Sequence, residues 1–211
     1  MSPAEPTPPG SRRQRDTVHD PRVLRAIAHP VRTRILEELS AAGPMRAADL
    51  ARTLGVPANQ ASFHLRQLAK YGLVLEAPEL ARDGRDRVWR ATHDSGLSID
   101  TRSLAELPGG RAAVSVFQRS WTEAAHDAVD RAAAAGERPA PAIVSDTSLR
   151  LTAAEARELS EAIGDLVDTW RERGRTQTGT EGRLTHQLLQ ILQPARSVAE
   201  EADGEQGADR T

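Results

Sequence analysis

Side chains that donate and accept hydrogen bonds recur along one side of a short helical segment between residues 58 and 71. At 100° per residue, they face away from an apolar stripe of Ala61, Leu65 and Leu68. Amide and guanidinium groups are the chemistry that base edges and phosphates require. An outward phenyl ring is costly in water but useful against a thymine methyl group or a sugar. The candidate binding residues of this segment are Asn59, Gln60, Ser62, Phe63, His64, Arg66, Gln67 and Lys70.

Two members of this set have an alternative role inside the domain. His64 lies near the edge of the apolar stripe, so it either contacts DNA or forms a hydrogen bond within the fold. Ser62 can bind a phosphate or bond back to its own helix. The sequence leaves both alternatives open.

A second group of basic residues surrounds a predicted β-hairpin. The pattern changes to a period of two at residues 73–76 and again at 87–92, with the turn signal Asp83-Gly84 between them. Arg82, Arg85 and Arg87 are candidate backbone contacts at this turn. Asp83 and Asp86 offset their charge, so an ordinary solvated hairpin is the alternative.

The elements that must hold these residues are mostly helices. Asp20-Pro21 is a helix-start signal, and Pro30 either ends that helix or starts the next. Helical spacing then continues until Ala42-Gly43-Pro44 breaks it. A short helix at 47–54, a Gly-Val-Pro turn and the helix at 58–71 follow, and Gly72 takes the place of a C-terminal cap. Helices followed by a two-stranded hairpin predict a winged helix-turn-helix, a mainly α fold with a small β wing.

Three segments of the chain resemble motifs of the ArsR-type winged-helix repressors. Residues 61–74 resemble that family's "S-x-H-L-x-x-L-x-x-x-G-L-V" region, residues 24–32 its "L-x-A-L-x-H-P-x-R" opening, and residues 48–51 its "E/D-L-A" helix. The resemblance covers about residues 20–92. It implies a homodimeric, sequence-specific transcriptional regulator, usually a repressor, in which His64 contacts DNA.

The chain departs from the metal-sensing members of that family. It contains no cysteine, so thiolate sensing is excluded, and we expect no cofactor. His126 and Asp130 are four residues apart on a predicted helix, and such a pair from each of two subunits could hold zinc. Pairs of this kind are common on solvated helix surfaces, so this is only a weak candidate.

The second half of the chain is predicted to be a helical arm for dimerisation. A long helix is predicted at about 111–135, and Thr152 with Glu155 has the form of a capping box that opens another. Residues 148–151 have the pattern of a short strand, and residues 183–193 are ambiguous between strand and helix. The predicted dimerisation residues are Val114, Phe117, Trp121, Ala124, Ala128, Leu159, Ile163, Leu166 and Trp170.

We therefore expect four parts: a disordered tail at 1–17, the winged helix-turn-helix at 18–93, the arm at 94–194 and a disordered acidic tail at 195–211. A polar link is expected at 93–108.

The net charge of −2 conceals an uneven distribution. Residues 11–92 carry a net charge of +6, and the remainder carries −8, which favours a polyanion-binding module joined to a different one. No apolar run is long enough to cross a membrane, and no secretory signal or catalytic motif is present. We expect a non-enzymatic cytoplasmic protein whose partners are double-stranded DNA, a second copy of itself and an unidentified small-molecule effector. The alternative is a winged helix used for protein interaction without operator binding.

Overall fold

The computed structural model describes residues 16–81, 87–93, 97–134, 143–176 and 183–194. The predicted hairpin turn Asp83-Gly84, the wing residues Arg82 and Arg85, and nearly all of both predicted tails lie outside the described residues. Seven helices and five short strands are present in the described part of the chain. The helices are α1 (Pro21–Ile27), α2 (Pro30–Ala42), α3 (Ala47–Leu54), α4 (Ala58–Lys70), α5 (Thr101–Ala105), α6 (Gly110–Ala133) and α7 (Ala153–Thr176). The strands are β1 (Asp16–Thr17), β2 (Met45–Arg46), β3 (Val74–Glu76), β4 (Val88–Ala91) and β5 (Leu97–Ser98).

Local signals in the sequence set the helix boundaries. Asp20 caps α1, because its carboxylate accepts a hydrogen bond from the backbone N–H of Arg22 at 2.8 Å. Thr152 and Glu155 form the predicted capping box of α7, in which Glu155 Oε2 accepts from the Thr152 N–H at 2.7 Å. Gly72 has φ = 67°, a left-handed conformation that glycine adopts without steric cost and that ends α4 as predicted.

A three-stranded antiparallel sheet follows the helix-turn-helix, which confirms the predicted winged-helix class. β4 is the central strand, with β3 on one side and β2 on the other. Sequence reasoning predicted β3 and β4 but missed β2, because two residues are too few to show a period. The register pairs Met45 with Trp89 and Val74 with Ala91.

One apolar core joins α1–α4, the sheet and the first part of α6. Its fully buried side chains include Leu24, Ile35, Leu39, Leu50, Leu65 and Leu68. Leu104 of α5 and Val114 of α6 belong to the same cluster. Ser120 continues this attachment, since its hydroxyl donates to the carbonyl of Ala28 at 2.7 Å. α7 packs against α2, where the Arg175 guanidinium donates to the carbonyl of Ser40, with a Nε–O distance of 3.1 Å.

Four predicted segments differ in the structure. Residues 16–17, assigned to the tail, form a strand that pairs in parallel with β5, because Val18 is buried and holds them against the fold. The expected polar link at 93–108 contains β5 and α5, and Asp100 caps α5. Residues 148–151 form no strand, because they have no pairing partner in the described sheets. Residues 183–193 are neither strand nor helix.

Gly110→Ala should destabilise the fold. A Cβ at this position would lie 1.8 Å from the backbone oxygen of Leu104, so α5 and α6 would have to move apart. We expect a loss of about 1–3 kcal/mol in the free energy of unfolding, measured by chemical denaturation. Gly174→Ala is the matched control, because a Cβ on that helical glycine meets nothing within 4 Å. It should be neutral or stabilising by up to about 1 kcal/mol. Equal effects of the two variants would contradict this account.

Candidate nucleic-acid interface

The turn between α3 and α4 fixes the angle at which the two helices meet. Gly55 ends α3 with φ = 65°, in the left-handed region. The Val56 N–H then donates to the carbonyl of Ala51 at 3.0 Å, and Pro57 starts α4. Leu54 and Leu65 are both buried beneath this turn, so burial of apolar surface holds the pair together. The geometry is that of a helix-turn-helix.

The outer face of α4 carries most of the predicted binding residues. Ala61, Leu65 and Leu68 are fully buried on its inner face. The structure brings the polar candidates together on the other side, as a surface we call the α4 face. Its exposed residues are Asn59, Gln60, Phe63, Arg66 and Lys70, and Ser62 and Gln67 are half-buried at its edges.

Phe63 is the apolar member of the α4 face. Its side chain is 50% exposed, although apolar rings usually lie inside. Its neighbour in the fold is the His64 ring, in an edge-on arrangement with 5.3 Å between the ring centroids. Phe63 is therefore held near the surface, where an apolar partner can reach it.

His64 differs in its surroundings from the rest of the set. It is only 4% exposed and packs on the ring of His29, with 4.5 Å between the centroids. Burial lowers the pKa of His64 below its usual value, and the nearby His29 and Arg32 lower it further. In this conformation the ring lies inside the domain, but its Nδ1 has no hydrogen-bond partner among the described residues, so neither of the two alternatives left open by the sequence is shown. DNA contact by His64 stays a prediction.

The sheet adds basic residues beside α4. Arg87, a predicted wing residue, is exposed and forms an ion pair with Glu76, with a Nη1–Oε1 distance of 3.4 Å. Arg90 is exposed on β4, where its neighbours Trp89 and Ala91 are buried. Sequence reasoning did not select Arg90, although the alternation along β4 could have identified it as outward-facing.

Two further basic residues, Arg46 and Arg52, form hydrogen bonds with Asp49 in the first turn of α3. The Arg46 Nε donates to Asp49 Oδ2 at 2.6 Å, and the Arg52 Nη2 donates to Asp49 Oδ1 at 2.9 Å. The hydrogen bond from Arg46 is the main reason that the pKa of Asp49 is lowered. Sequence reasoning missed this network, because pairing of Asp49 with residues three positions away on both sides is a common helix-surface pattern.

The predicted dimerisation residues fall into three groups. Val114 is buried in the core, and Phe117 packs on its edge, so these two hold α6 to the helix-turn-helix. Four others are exposed on α6 and α7: Trp121, Ala124, Leu166 and Trp170. Three are half-buried: Ala128, Leu159 and Ile163. An arginine, Arg173, covers part of the Trp170 ring at 4.9 Å.

The weak metal candidate is a pair of exposed side chains. His126 and Asp130 lie on the exposed surface of α6. Within the described ranges, no group of three or more His, Asp or Glu residues is arranged to hold a metal ion. Among the helices described, none combines the length and apolar character needed to cross a membrane.

Comparison with protein families matches residues 27–77 to a family described as a helix-turn-helix domain. The matched segment runs from the end of α1 through the residue after β3, and it includes the α4 face. It is about a quarter of the chain. The comparisons with curated proteins and with solved structures found no match. The chain thus carries a helix-turn-helix domain, a type found in DNA-binding regulators.

Substitutions at two adjacent residues of α4 should have very different effects on stability, because one residue is buried in the core and the other is exposed. Leu65→Ala removes a fully buried side chain and should lower the free energy of unfolding by about 2–5 kcal/mol. Arg66→Ala changes the next residue, which is exposed, and should alter it by less than about 0.5 kcal/mol. Chemical denaturation measures both. A comparable loss in Arg66→Ala would show that the α4 face has a structural role.

Proposed function

We propose that this protein is a sequence-specific transcriptional regulator that binds a pseudo-palindromic operator as a homodimer and represses transcription. The observation that carries the proposal is the α4 face, in which amide, guanidinium and ammonium groups surround an exposed phenyl ring on the second helix of a helix-turn-helix. In this domain type the second helix enters the major groove. The match at residues 27–77 supports the same assignment.

Each residue type on the α4 face has a suitable partner on DNA. The amides of Asn59 and Gln60 suit adenine edges, Arg66 suits guanine or phosphate, and Lys70 suits phosphate. Phe63 suits a thymine methyl group. Arg87, which immediately precedes β4, would contact the DNA backbone beside the groove together with Arg82 and Arg85. The basic charge of residues 11–92 would add salt-dependent attraction.

The two-part organisation supports a dimer. A DNA-reading domain at 18–93 would carry α4, and an arm at 94–194 would pair two copies, with the first turns of α6 packed into the core of the reading domain. Exposed Trp121, Leu166 and Trp170 are the surface we propose for pairing, because large apolar side chains in water favour association. Two α4 helices about one DNA turn apart would then read two half-sites.

In this proposal, an unidentified small-molecule effector binds the protein and acts as the signal that regulates it. The structure has an open cleft of about 390 Å³ between α1 and the loop before α6, a volume within the usual range for small-molecule sites. Its lining includes Arg22, Arg25 and Leu107. The protein would act in the cytoplasm.

The alternative is a winged helix used only for protein interaction. The exposed apolar residues of α6 and α7 favour it, since they offer a protein-binding surface whether or not DNA is bound. Selection of DNA sites with the purified protein discriminates the two functions. Recovery of a shared motif supports the regulator, and weak, salt-sensitive, sequence-independent binding supports the alternative.

Removal of charge from the α4 face should weaken operator binding. We expect a loss of roughly 5- to 150-fold for Arg66→Ala if it contacts a base. Lys70→Ala should weaken binding on all sequences and reduce the slope of log affinity against log salt by about 1. Fluorescence anisotropy over a salt series measures both quantities. Arg157→Ala removes one exposed arginine from α7 as the control and should leave affinity unchanged. If it weakened binding equally, overall charge and not the α4 face would be responsible.

A charge placed on the exposed part of α7 should break the dimer. Trp170 is 61% exposed and Leu166 is 58% exposed, so Leu166→Glu and Trp170→Glu should leave the fold intact while opposing association. Light scattering after gel filtration should report a dimer for the native chain and a monomer for the variants. Leu80→Glu, at an exposed leucine of the DNA-reading half, is the control and should stay dimeric. A native chain that is monomeric at micromolar concentration contradicts the proposed pairing.

A further inference from the structure

Three buried side-chain nitrogens lack a hydrogen-bond partner in the described residues, and all three belong to one cluster. They are His29 Nδ1, Arg32 Nε and His64 Nδ1. Buried polar atoms normally have a partner, and leaving one without it carries a free-energy penalty. We call these three residues the basic cluster.

The basic cluster lies where the recognition helix α4 meets the start of α2. His29 immediately precedes α2, and Arg32 is in the first turn of that helix. His64 reaches them from α4, and its ring lies 4.5 Å from that of His29 at an angle of 47°. The contact between the start of α2 and α4 therefore includes two imidazoles in a tilted arrangement, with the guanidinium of Arg32 in the same cluster.

The surroundings oppose positive charge on either imidazole. Burial is the main cause of the lowered pKa of both His29 and His64. Arg32 lowers the pKa of both, and His29 also lowers that of His64, while a backbone hydrogen bond acts in the opposite direction on His29. The other groups that face the cluster are the phenol of Tyr71, which acts on Arg32, and the carbonyl of Arg25, which accepts from Arg32 Nη2 at 3.2 Å.

The packing in the structure is therefore that of two neutral imidazoles. A proton on either ring would place a positively charged imidazolium next to the positively charged guanidinium of Arg32, inside the domain. Like charges at this distance repel strongly where water is excluded. The imidazoles can lower this energy by moving to solvent. Movement of His64, which lies on α4, would separate its ring from that of His29 at the start of α2.

We propose that the basic cluster is a proton-operated switch. Protonation of the histidine pair expels the His64 side chain from the contact between α4 and α2 and so releases the recognition helix α4 from α2. The domain is closed at neutral pH and loosens in mild acid. The effect on folding is independent of any ligand. The effect on DNA affinity rests on the proposed function, because it requires that α4 reads DNA.

The sign of the effect on stability follows from proton binding. Because the folded pKa of each histidine lies below the unfolded value near 6.5, the unfolded chain binds more protons in mild acid. Stability should be full above pH 6.5 and fall as the pH decreases below it. For a chain of this length, we expect the melting temperature to drop by roughly 2–8 °C between pH 7.5 and 5.5.

Thermal melts of the full chain without DNA give the first test. His64→Gln keeps a polar side chain that cannot take up a proton, so its melting temperature should change less between the two pH values. His126→Gln removes an exposed histidine from α6 and should retain the full native drop. A drop of the same size in native chain, His64→Gln and His126→Gln would overturn the switch, because it would assign the pH dependence to other groups.

Titration of the imidazoles by NMR gives a second test that survives poor folding of the His64→Gln variant. In the native chain, His64 should take up its proton below pH 6.5, because burial lowers its pKa. In His29→Gln the His64 midpoint should rise, because one neighbouring charge is removed. A native His64 midpoint at or above 6.5, or one unchanged by His29→Gln, would overturn the proposal.

DNA affinity links the switch to function. At constant salt, the native chain should bind its selected site less tightly at pH 5.5 than at 7.5, and His64→Gln should lose less affinity. A native affinity that rises in acid and loses that rise in His64→Gln would overturn the switch, because it would make His64 a contact to phosphate. If no site is bound at pH 7.5, the proposed function fails, while the melts and the titration still decide the switch.

Discussion

The requirement that α4 bury one face and leave the other in water controls the rest of the structure. Leu65 and Leu68 are fully buried, and each contributes about 1.5–3 kcal/mol by leaving water. Their burial fixes the rotation of the helix about its own axis. Asn59, Arg66 and Lys70 lie on the opposite side of the helix, so this rotation exposes them to water. The surface proposed to read DNA is a consequence of how the core packs.

The second half of the chain is tied to this core at its beginning. Val114 and Phe117 attach the first turns of α6 to the helix-turn-helix, and the hydroxyl of Ser120 binds the carbonyl of Ala28. Farther along, α6 carries exposed Trp121 and Val129. A single continuous helix thus connects a buried anchor to an exposed apolar surface. In the proposed dimer, this connection would transmit the arrangement of the arms to the position of α4.

The basic half of the molecule handles its charge in two ways. At the start of α3, Asp49 is shared by Arg46 and Arg52, so positive charge is paired and the pKa of the acid is lowered. At the start of α2, the described structure instead places two imidazoles beside Arg32, and the histidines are kept neutral by burial. Both arrangements make stability depend on pH, the paired carboxylate in a more acidic range than the buried histidines.

The sequence by itself determined the elements that depend on local chemistry. The Asp20 cap, the Thr152–Glu155 capping box, the Gly55 and Gly72 positions and the period of α4 predicted most of the helices and the winged-helix class. The same period placed Asn59, Arg66 and Lys70 on the outer face. These features involve residues within a few positions of each other, so the local sequence is sufficient to predict them.

Tertiary structure alone decided the features that depend on distant residues. β2 exists because β4 offers it a partner, residues 16–17 are ordered by β5, and Val114 packs in the core because α1 lies beside α6. His64 lies at the edge of the apolar stripe in sequence, where two roles were possible. The tertiary structure brings His29 and Arg32, at the start of α2, against the buried His64 ring. The free energy of a charged imidazole there depends on these two residues, which lie more than thirty positions away in the sequence.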